Sequence, residues 1–98
     1  MSDVDDETAI AGLERLGLTE YEARVFLALQ KLGAGTAAEV GEVADVPRSQ
    51  VYGAADKLDE RGLVETRQST PTAYRPVSLE QARTQLLDQL QRTGTETF

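Results

Sequence analysis

The apolar residues of this chain recur at helical spacing in several segments, and one segment organises the rest. Between positions 48 and 61, Val51, Ala55 and Leu58 recur at intervals of four and three residues, the repeat of a helix with one buried side. Small and polar residues fill the opposite side of that helix. Gly62 follows, as a glycine commonly follows a helix end. We therefore predict a half-exposed helix over 48–61.

Four further segments also have apolar residues at helical spacing. Three of them open with a capping box, in which Ser or Thr is followed three residues later by Glu or Gln, at Thr19, Thr36 and Ser78. Residues 1–6 are acidic and poor in apolar side chains, so we predict a disordered tail before the first helix. The predicted helices cover residues 7–16, 19–32, 36–44, 48–61 and 79–92.

Two short segments are typical of strands. Residues 63–68 and 73–77 flank a turn, and together they predict a two-stranded hairpin directly after helix 48–61. Pro76 has no N–H to give to a neighbouring strand, so we expect the second strand at a sheet edge. Because an isolated hairpin is only marginally stable, it must pack on the helices.

The order of these elements predicts the fold. Helix 36–44, a short link and helix 48–61 form a helix-turn-helix, and the hairpin that follows is its wing. The fold class is mainly α with a small β-hairpin, a winged helix-turn-helix with flanking N- and C-terminal helices. Residues 1–98 contain no linker able to separate two domains, so we expect a single domain.

The composition excludes several classes of function. The chain has no cysteine and no histidine, so it forms no disulfide and no thiolate or imidazole metal site. Its carboxylates lie scattered without a nucleophile or a phosphate-binding loop, so we expect no catalysis, metal or cofactor, and no small-molecule ligand can be inferred. No apolar run approaches the roughly 18 residues of a membrane span, and the acidic N-terminus is unlike a signal peptide, so we expect a cytoplasmic protein.

The charge is unusual for a protein that binds nucleic acid. Asp and Glu number 17 against 10 Lys and Arg, a net charge of −7. Residues 1–45 hold ten acids and three bases, whereas residues 46–77 hold four acids and five bases. Lysine is scarce, and we interpret the acidic surface as an adaptation to a halophile's cytoplasm, where molar salt shortens the screening length to about 3 Å. The alternative is the mild acidity common among cytoplasmic proteins.

Four stretches of sequence carry a resemblance to a known family: 16–29 (LGLTEYEARVFLAL), 46–52 (VPRSQVY), 62–65 (GLVE) and 74–77 (YRPV). Over about residues 13–90 the chain resembles the winged helix-turn-helix domain of the TrmB family of archaeal transcriptional regulators. The resemblance implies DNA binding, dimerisation and transcriptional control. Larger members carry a C-terminal sugar-binding domain for which these 98 residues have no counterpart, so we do not expect sugar sensing.

The first turn of helix 48–61 is where helix-turn-helix proteins touch base edges. Gln50 has the chemistry to pair with adenine and Arg48 with guanine, although a phosphate contact suits Arg48 equally. Tyr52 is expected either to bond a phosphate or to pack over the second helix with its hydroxyl in water. Lys57 is expected either to contact a phosphate or to pair with Glu60.

Other candidates lie further along the helix and on the wing. Gly53 either lets DNA approach closely or is a tolerated surface glycine, and Asp56 either accepts a hydrogen bond from a cytosine amino group or stays a solvated charge. Arg67 and Arg75 either reach the minor groove or its phosphates, or they pair with Glu65 across the strands or stay exposed to solvent. The predicted DNA contacts are Arg48, Ser49, Gln50, Tyr52, Gly53 and Lys57 on the helix and Arg67, Thr70, Thr72 and Arg75 on the wing.

The last predicted helix carries an apolar stripe that needs a partner. The stripe either packs on the domain or forms a seam with a second copy of the chain. Because three helices already account for the core, we favour a homodimer joined also by the first helix, which would hold two recognition helices about 34 Å apart. The predicted interface residues are Ile10, Leu13, Leu79, Leu86, Leu87 and Leu90.

Two functions are consistent with these patterns. We favour a dimeric, sequence-specific regulator of transcription whose partner is double-stranded DNA. The alternative is a winged-helix module that docks on another transcription factor through its acidic surface. The first requires DNA binding at high salt, and the second requires a stoichiometric protein partner without DNA binding.

Overall fold

The computed structural model describes residues 5–96, with side chains as far as Arg92. Within this part of the chain, five helices and three short strands form a winged helix-turn-helix with a flanking helix at each end, which confirms the predicted fold class. In chain order they are α1 (Asp6–Arg15), α2 (Glu20–Leu32), β1 (Gly35–Thr36), α3 (Ala37–Ala44), α4 (Arg48–Glu60), β2 (Val64–Arg67), β3 (Ala73–Pro76) and α5 (Leu79–Glu96).

Helix α2 is the centre of the core. It contacts α1, α3, α4 and β3, and its Val25, Phe26 and Leu29 are fully buried. Leu58 of α4 and Leu86 of α5 are fully buried in the same cluster. The core therefore recruits α5 as well as the three helices that the sequence suggested.

The capping boxes begin the helices where the sequence predicted. The hydroxyls of Thr19 and Thr36 each accept from the backbone N–H three residues on, and the Glu of each box returns a hydrogen bond to the cap residue. Ser78 Oγ likewise accepts from the N–H of Gln81 at 3.0 Å. Pro47 precedes α4 and provides no side-chain cap. Local hydrogen bonding explains all of these helix starts except that of α4.

The predicted ends of the chain need correction. Asp5 caps α1 by accepting from the N–H of Thr8 at 2.8 Å, so the helix begins at Asp6, and these two residues do not belong to a disordered tail. Residues 1–4, the rest of that predicted tail, lie outside the described residues. Helix α5 continues to Glu96, beyond the predicted end at position 92.

The sheet has a strand that the sequence did not predict. Strand order is β1-β3-β2, so β3 lies in the middle and the expectation of an edge strand was wrong. Proline is nevertheless tolerated, because β1 pairs only with Ala73 and Tyr74 and ends before it reaches Pro76. Strand β2 pairs with the full length of β3, from Val64 opposite Pro76 to Arg67 opposite Ala73.

The turn between α3 and α4 depends on a glycine in α3. A Cβ at Gly41 would lie 2.9 Å from the carbonyl oxygen of Val46 and 3.7 Å from the Cα of Arg48. The backbone of the link therefore passes directly over Gly41. This close approach sets the angle at which α4 leaves the turn.

Adding a methyl group at Gly41 is expected to destabilise the fold. Because the obstacle is backbone, Gly41→Ala should lower the free energy of unfolding by about 1–3 kcal/mol in urea denaturation. Gly53→Ala is the matched control in a helix, since a Cβ there meets nothing within 4 Å. That variant should gain up to about 1 kcal/mol from helix propensity. Equal stability of the two variants would contradict the close approach.

Candidate nucleic-acid interface

Helix α4 is anchored along one side and open along the other. Val51, Ala54, Ala55 and Leu58 are buried in the core. The opposite side consists of exposed residues one turn apart, which we call the outer line of α4: Ser49, Gly53, Asp56 and Glu60. No residue of the described range 5–96 buries this line, so the helix presents a continuous surface to solvent.

The flank of α4 that faces α2 is neutral to basic. Gln50, Gly53 and Lys57 line a shallow groove of about 250 Å³ together with Thr19, Tyr21 and the capping-box residue Glu22 at the start of α2. Within residues 5–96, ion pairs join Arg24 to Glu20, Lys31 to Asp6 and Arg92 to Asp88. The alternative pairing of Lys57 with Glu60 is therefore absent from the structure, and Lys57 is an exposed residue.

The flank that faces the wing holds the hairpin in place. The Thr66 hydroxyl on β2 donates to Asp59 Oδ2 on α4 at 2.5 Å. The Tyr74 ring on β3 is buried beside α4. This burial raises the pKa of the Tyr74 phenol, and the nearby Asp56 carboxylate and Tyr52 raise it further. Sequence reasoning missed Asp59 and Thr66, because no local pattern links a helix to the strand beyond its terminal turn.

The wing presents its basic residues outward. Arg67 and Arg75 are exposed, whereas Val64 and Tyr74 on the alternate positions are buried. The register sets Glu65 directly opposite Arg75, so it is Arg75 that has a cross-strand acidic neighbour. Glu65 and Arg75 are nevertheless not among the ion pairs of the described residues 5–96.

The tip of the wing is shaped by its own polar groups. The Ser69 hydroxyl donates to the carbonyl oxygen of Pro71 at 2.7 Å. Thr70 beside it is exposed, and Thr72 is half-buried. The structure therefore leaves Thr70 more accessible than Thr72 to any partner that approaches the tip.

Charge is divided along the length of α4. The first two turns carry Arg48 and no carboxylate, and the last two turns carry Asp56, Asp59 and Glu60. A helix N-terminus adds partial positive charge from its free N–H groups. The N-terminal half of α4 is therefore the half suited to a phosphate-rich partner. Its Arg48, Ser49, Gln50, Tyr52 and Gly53 are all exposed.

Part of the predicted dimer surface is buried in the chain's own core. Leu86 is fully buried and Leu13 is 8% exposed, so the structure does not support their use as interface residues. Leu79, Leu87 and Leu90 are 52%, 39% and 44% exposed. Leu86 belongs to the buried cluster of the domain, a packing that helical spacing alone does not distinguish from a dimer seam.

The remaining predicted interface residues line different hollows. Leu79 meets α1 at an apolar groove of about 460 Å³ that includes Gly12 and Leu16. Ile10 instead lines a hollow between α1, α2 and α3, together with Arg24 and Val43. The structure therefore brings Leu79 to α1 but leaves Ile10 apart from it.

Comparison with known proteins identifies the family. A family model described as the sugar-specific transcriptional regulator TrmB matches residues 13–80. The chain belongs to the TrmB family. The relatives and structural neighbours of this domain are transcriptional regulators and DNA-binding proteins rather than enzymes. The predicted membership of this archaeal family is thereby confirmed.

Two relatives show how much of a longer protein this domain represents. The sugar-sensing transcriptional regulator TrmBL1 of Pyrococcus furiosus is 32% identical in an alignment of 91 residues that covers 89% of this chain and 27% of that protein. The DNA-binding transcriptional repressor TrmBL2 of Thermococcus kodakarensis is 31% identical over 83 residues, which are 85% of this chain and 31% of that protein. The chain spans about a quarter to a third of the length of these relatives.

Solved structures agree on the architecture. TrmBL2, an archaeal chromatin protein whose structure is described as showing a novel mode of DNA binding, superposes with a TM-score of 0.87 at 26% identity, over 95% of this chain and 37% of that chain. The ST1889 protein of Sulfolobus tokodaii superposes with a TM-score of 0.71 at 22% identity, over 95% of this chain and 98% of that one. The second likeness bears on the fold alone.

Two kinds of site are not found in the described part of the chain. Among residues 5–96, no cluster of three or more acidic side chains is arranged to hold a metal ion. None of the helices there is both long enough and apolar enough to cross a membrane.

Raising the pH is expected to weaken folding through Tyr74. The pKa of its phenol in the folded chain lies above the ordinary value of 10.0, so above that pH the unfolded chain releases a proton that the folded chain retains. The free energy of unfolding should then fall as the pH rises through the folded-state pKa. Urea unfolding of the wild type and Tyr74→Phe up to about pH 11 measures this. The free energy of unfolding of the wild type should fall relative to that of Tyr74→Phe above pH 10. Parallel dependence of the two free energies on pH would contradict the prediction.

Proposed function

We propose that this chain is a transcriptional regulator that binds double-stranded DNA as a homodimer, with α4 in the major groove and the wing on the adjacent backbone or minor groove. The observation that carries the proposal is the open outer line of α4, beside a carboxylate-free N-terminal half and an anchored inner side. A major groove about 12 Å wide admits such a helix. The proposed site of action is the cytoplasm.

The proposed contacts divide into base reading and backbone binding. Arg48, Ser49 and Gln50 lie in the first turn of α4, from which side chains of helix-turn-helix proteins reach base edges. Phosphate contacts suit Tyr52 and Lys57, since each is an exposed residue on a flank of the helix. Gly53 leaves room for close approach of the DNA. On the wing, the proposed contacts are Arg67, Arg75, Thr70 and Thr72.

We propose that the homodimer forms through the exposed side of α5. Leu79, Leu87 and Leu90 are apolar and exposed, and Leu79 borders the apolar groove on α1. A second copy that covers both would remove this surface from water, which favours association. Two-fold symmetry about α5 would present two copies of α4 to one side of a DNA duplex, and the half-sites would lie about 34 Å apart.

The relatives support DNA as the partner. TrmBL2 of Thermococcus kodakarensis is named a DNA-binding repressor, and this chain matches about a third of its length. TrmBL1 is named a sugar-sensing regulator. The match covers about a quarter of that protein, so we propose DNA binding for this chain but not sugar sensing.

A second candidate function rests on the carboxylates of α4. Asp56, Asp59 and Glu60 crowd the C-terminal half of the helix in a chain of net charge −7. Such a surface suits docking on a basic transcription factor. Recovery of a stoichiometric protein partner, with no DNA binding at any salt concentration, would favour this alternative.

Removing the proposed contacts is expected to abolish specific DNA binding. The triple variant Arg48→Ala, Gln50→Ala and Arg67→Ala loses two cations and one base-reading amide on exposed positions. We expect its affinity for DNA selected on the wild type to fall by at least about tenfold in gel shifts at high potassium concentration. Wild-type affinity in this variant would refute the assigned face.

The control for this variant is a cation away from both α4 and the wing. Lys31 pairs with Asp6 at 2.6 Å on the exposed side of α2. Such a surface pair contributes little to stability, so Lys31→Ala should fold normally and retain DNA binding. A comparable loss of binding in the control would mean that total charge, rather than the assigned face, determines affinity.

Acidic substitutions on the outer side of α5 are expected to yield monomers. Leu87→Glu combined with Leu90→Glu sets charges on the proposed seam without touching the buried Leu86. Val43→Glu on α3 is the matched control, because Val43 is 44% exposed, as is Leu90. Sedimentation equilibrium should give a dimer for the wild type and the control and a monomer for the double variant. A monomeric wild type, or a dimeric double variant, would contradict the proposed interface.

A further inference from the structure

The outer line of α4 carries small residues at its N-terminal end and acidic residues at its C-terminal end. Ser49 and Gly53 form the first part, and a Cβ built on Gly53 would meet nothing within 4 Å. Asp56 and Glu60 follow on the next two turns. Because Ser49 and Gly53 have little or no side chain, they add no bulk between the helix and the base edges in a groove. A short side chain such as that of Asp56 then comes within reach of base edges.

Two aspartates of α4 are used differently. Asp59 accepts the hydrogen bond from Thr66 that ties the wing to the helix. Asp56 is exposed and makes no hydrogen bond or ion pair within residues 5–96. Asp59 therefore stabilises the wing, whereas the Asp56 carboxylate is available to a partner.

The chain does not neutralise Asp56 with a cation of its own. Lys57 lies on the flank that faces α2, in the groove with Thr19 and Tyr21. Asp56 lies toward the wing, close enough to Tyr74 for its charge to contribute to the raised pKa of that phenol. A carboxylate on this side of the outer line meets an approaching duplex with both oxygens free.

An ionised carboxylate only accepts hydrogen bonds, which restricts the base it tolerates. Cytosine offers its N4 amino group as a donor in the major groove, whereas guanine offers two acceptors and thymine an acceptor and a methyl group. Adenine offers a donor beside an acceptor. The favourable partner is therefore cytosine.

We propose that Asp56 is a specificity-determining residue that selects a cytosine in the major groove and rejects guanine and thymine at the same position. This inference rests on the proposed DNA binding by α4. Phosphate repulsion by the same carboxylate lowers affinity for every sequence, so Asp56 exchanges affinity for discrimination.

Selection from a randomised pool of double-stranded DNA tests the proposal. The full chain, Asp56→Ala and Asp56→Asn are each used for selection at one fixed salt concentration. The wild type should prefer cytosine about tenfold at one position of each half-site. Asp56→Ala should lose the preference at that position alone, and Asp56→Asn should move it toward adenine, which asparagine pairs with.

Glu60→Gln is the matched control, because it removes one negative charge from the next turn of the same outer line. It should raise affinity for all sequences and leave the cytosine preference intact. If Asp56→Ala keeps the cytosine preference, or only raises affinity uniformly, the inference is overturned. Wild type that binds DNA without any preference overturns it too, but leaves the proposed DNA binding standing. Wild type that binds no DNA defeats the proposed function and this inference together.

Discussion

The packing of α4 on α2 is the interaction on which the rest of the structure depends. Val51, Ala55 and Leu58 are fully buried against the core that α2 organises. Full burial of a Val or Leu side chain stabilises a fold by about 1.5–3 kcal/mol, so this stripe holds the rotation of α4 about its axis. Once the inner side is fixed, the identity of the outer line follows from helical geometry. The exposure of Ser49, Gly53 and Asp56 depends on that fixed rotation.

The two ends of α4 are held by different devices. At its start, Gly41 lets the link lie against α3, and no side chain caps the first turn. At its end, Gln89 of α5 donates to the carbonyl oxygen of Arg61 at 3.1 Å, and the Arg61 guanidinium donates to the carbonyl oxygen of Gly17 at the same distance. The C-terminal end is therefore tied to α5 and to the loop before α2. Its N-terminal end has no side-chain cap, and the N–H groups of Gln50 and Val51 donate to the carbonyl oxygen of Pro47.

Signals in the sequence predicted those features whose causes are local. The capping boxes at Thr19 and Thr36 depend on residues three apart, and the exposed side of α4 follows from periodicity, so both were predictable. The pairing of β1 with Tyr74 joins segments almost forty residues apart and has no local signal. Leu86 illustrates the same limit, because an apolar stripe is identical in sequence whether it meets its own core or a second copy. The tie between Asp59 and Thr66 could be found only once the wing had folded back on α4.

The negative net charge of this chain distinguishes it from a basic DNA-binding protein. Its net charge of −7 opposes DNA, and the exposed cations of α4 and the wing are Arg48, Lys57, Arg67 and Arg75. Arg48 lies in the carboxylate-free half of α4, whereas Lys57 lies beside the carboxylates of the other half, so the attractive surface is small. Binding by such a surface depends on orientation more than on total charge.

The central claim is that the outer line of α4 meets DNA while its inner side stays anchored. Amide chemical shifts of the ¹⁵N-labelled full chain, followed while selected double-stranded DNA is added, test it most directly. We expect the largest changes at residues 48–56 and on the wing, with little change along α1 and α5. Changes concentrated on α1 or α5, with residues 48–56 unaffected, would contradict it.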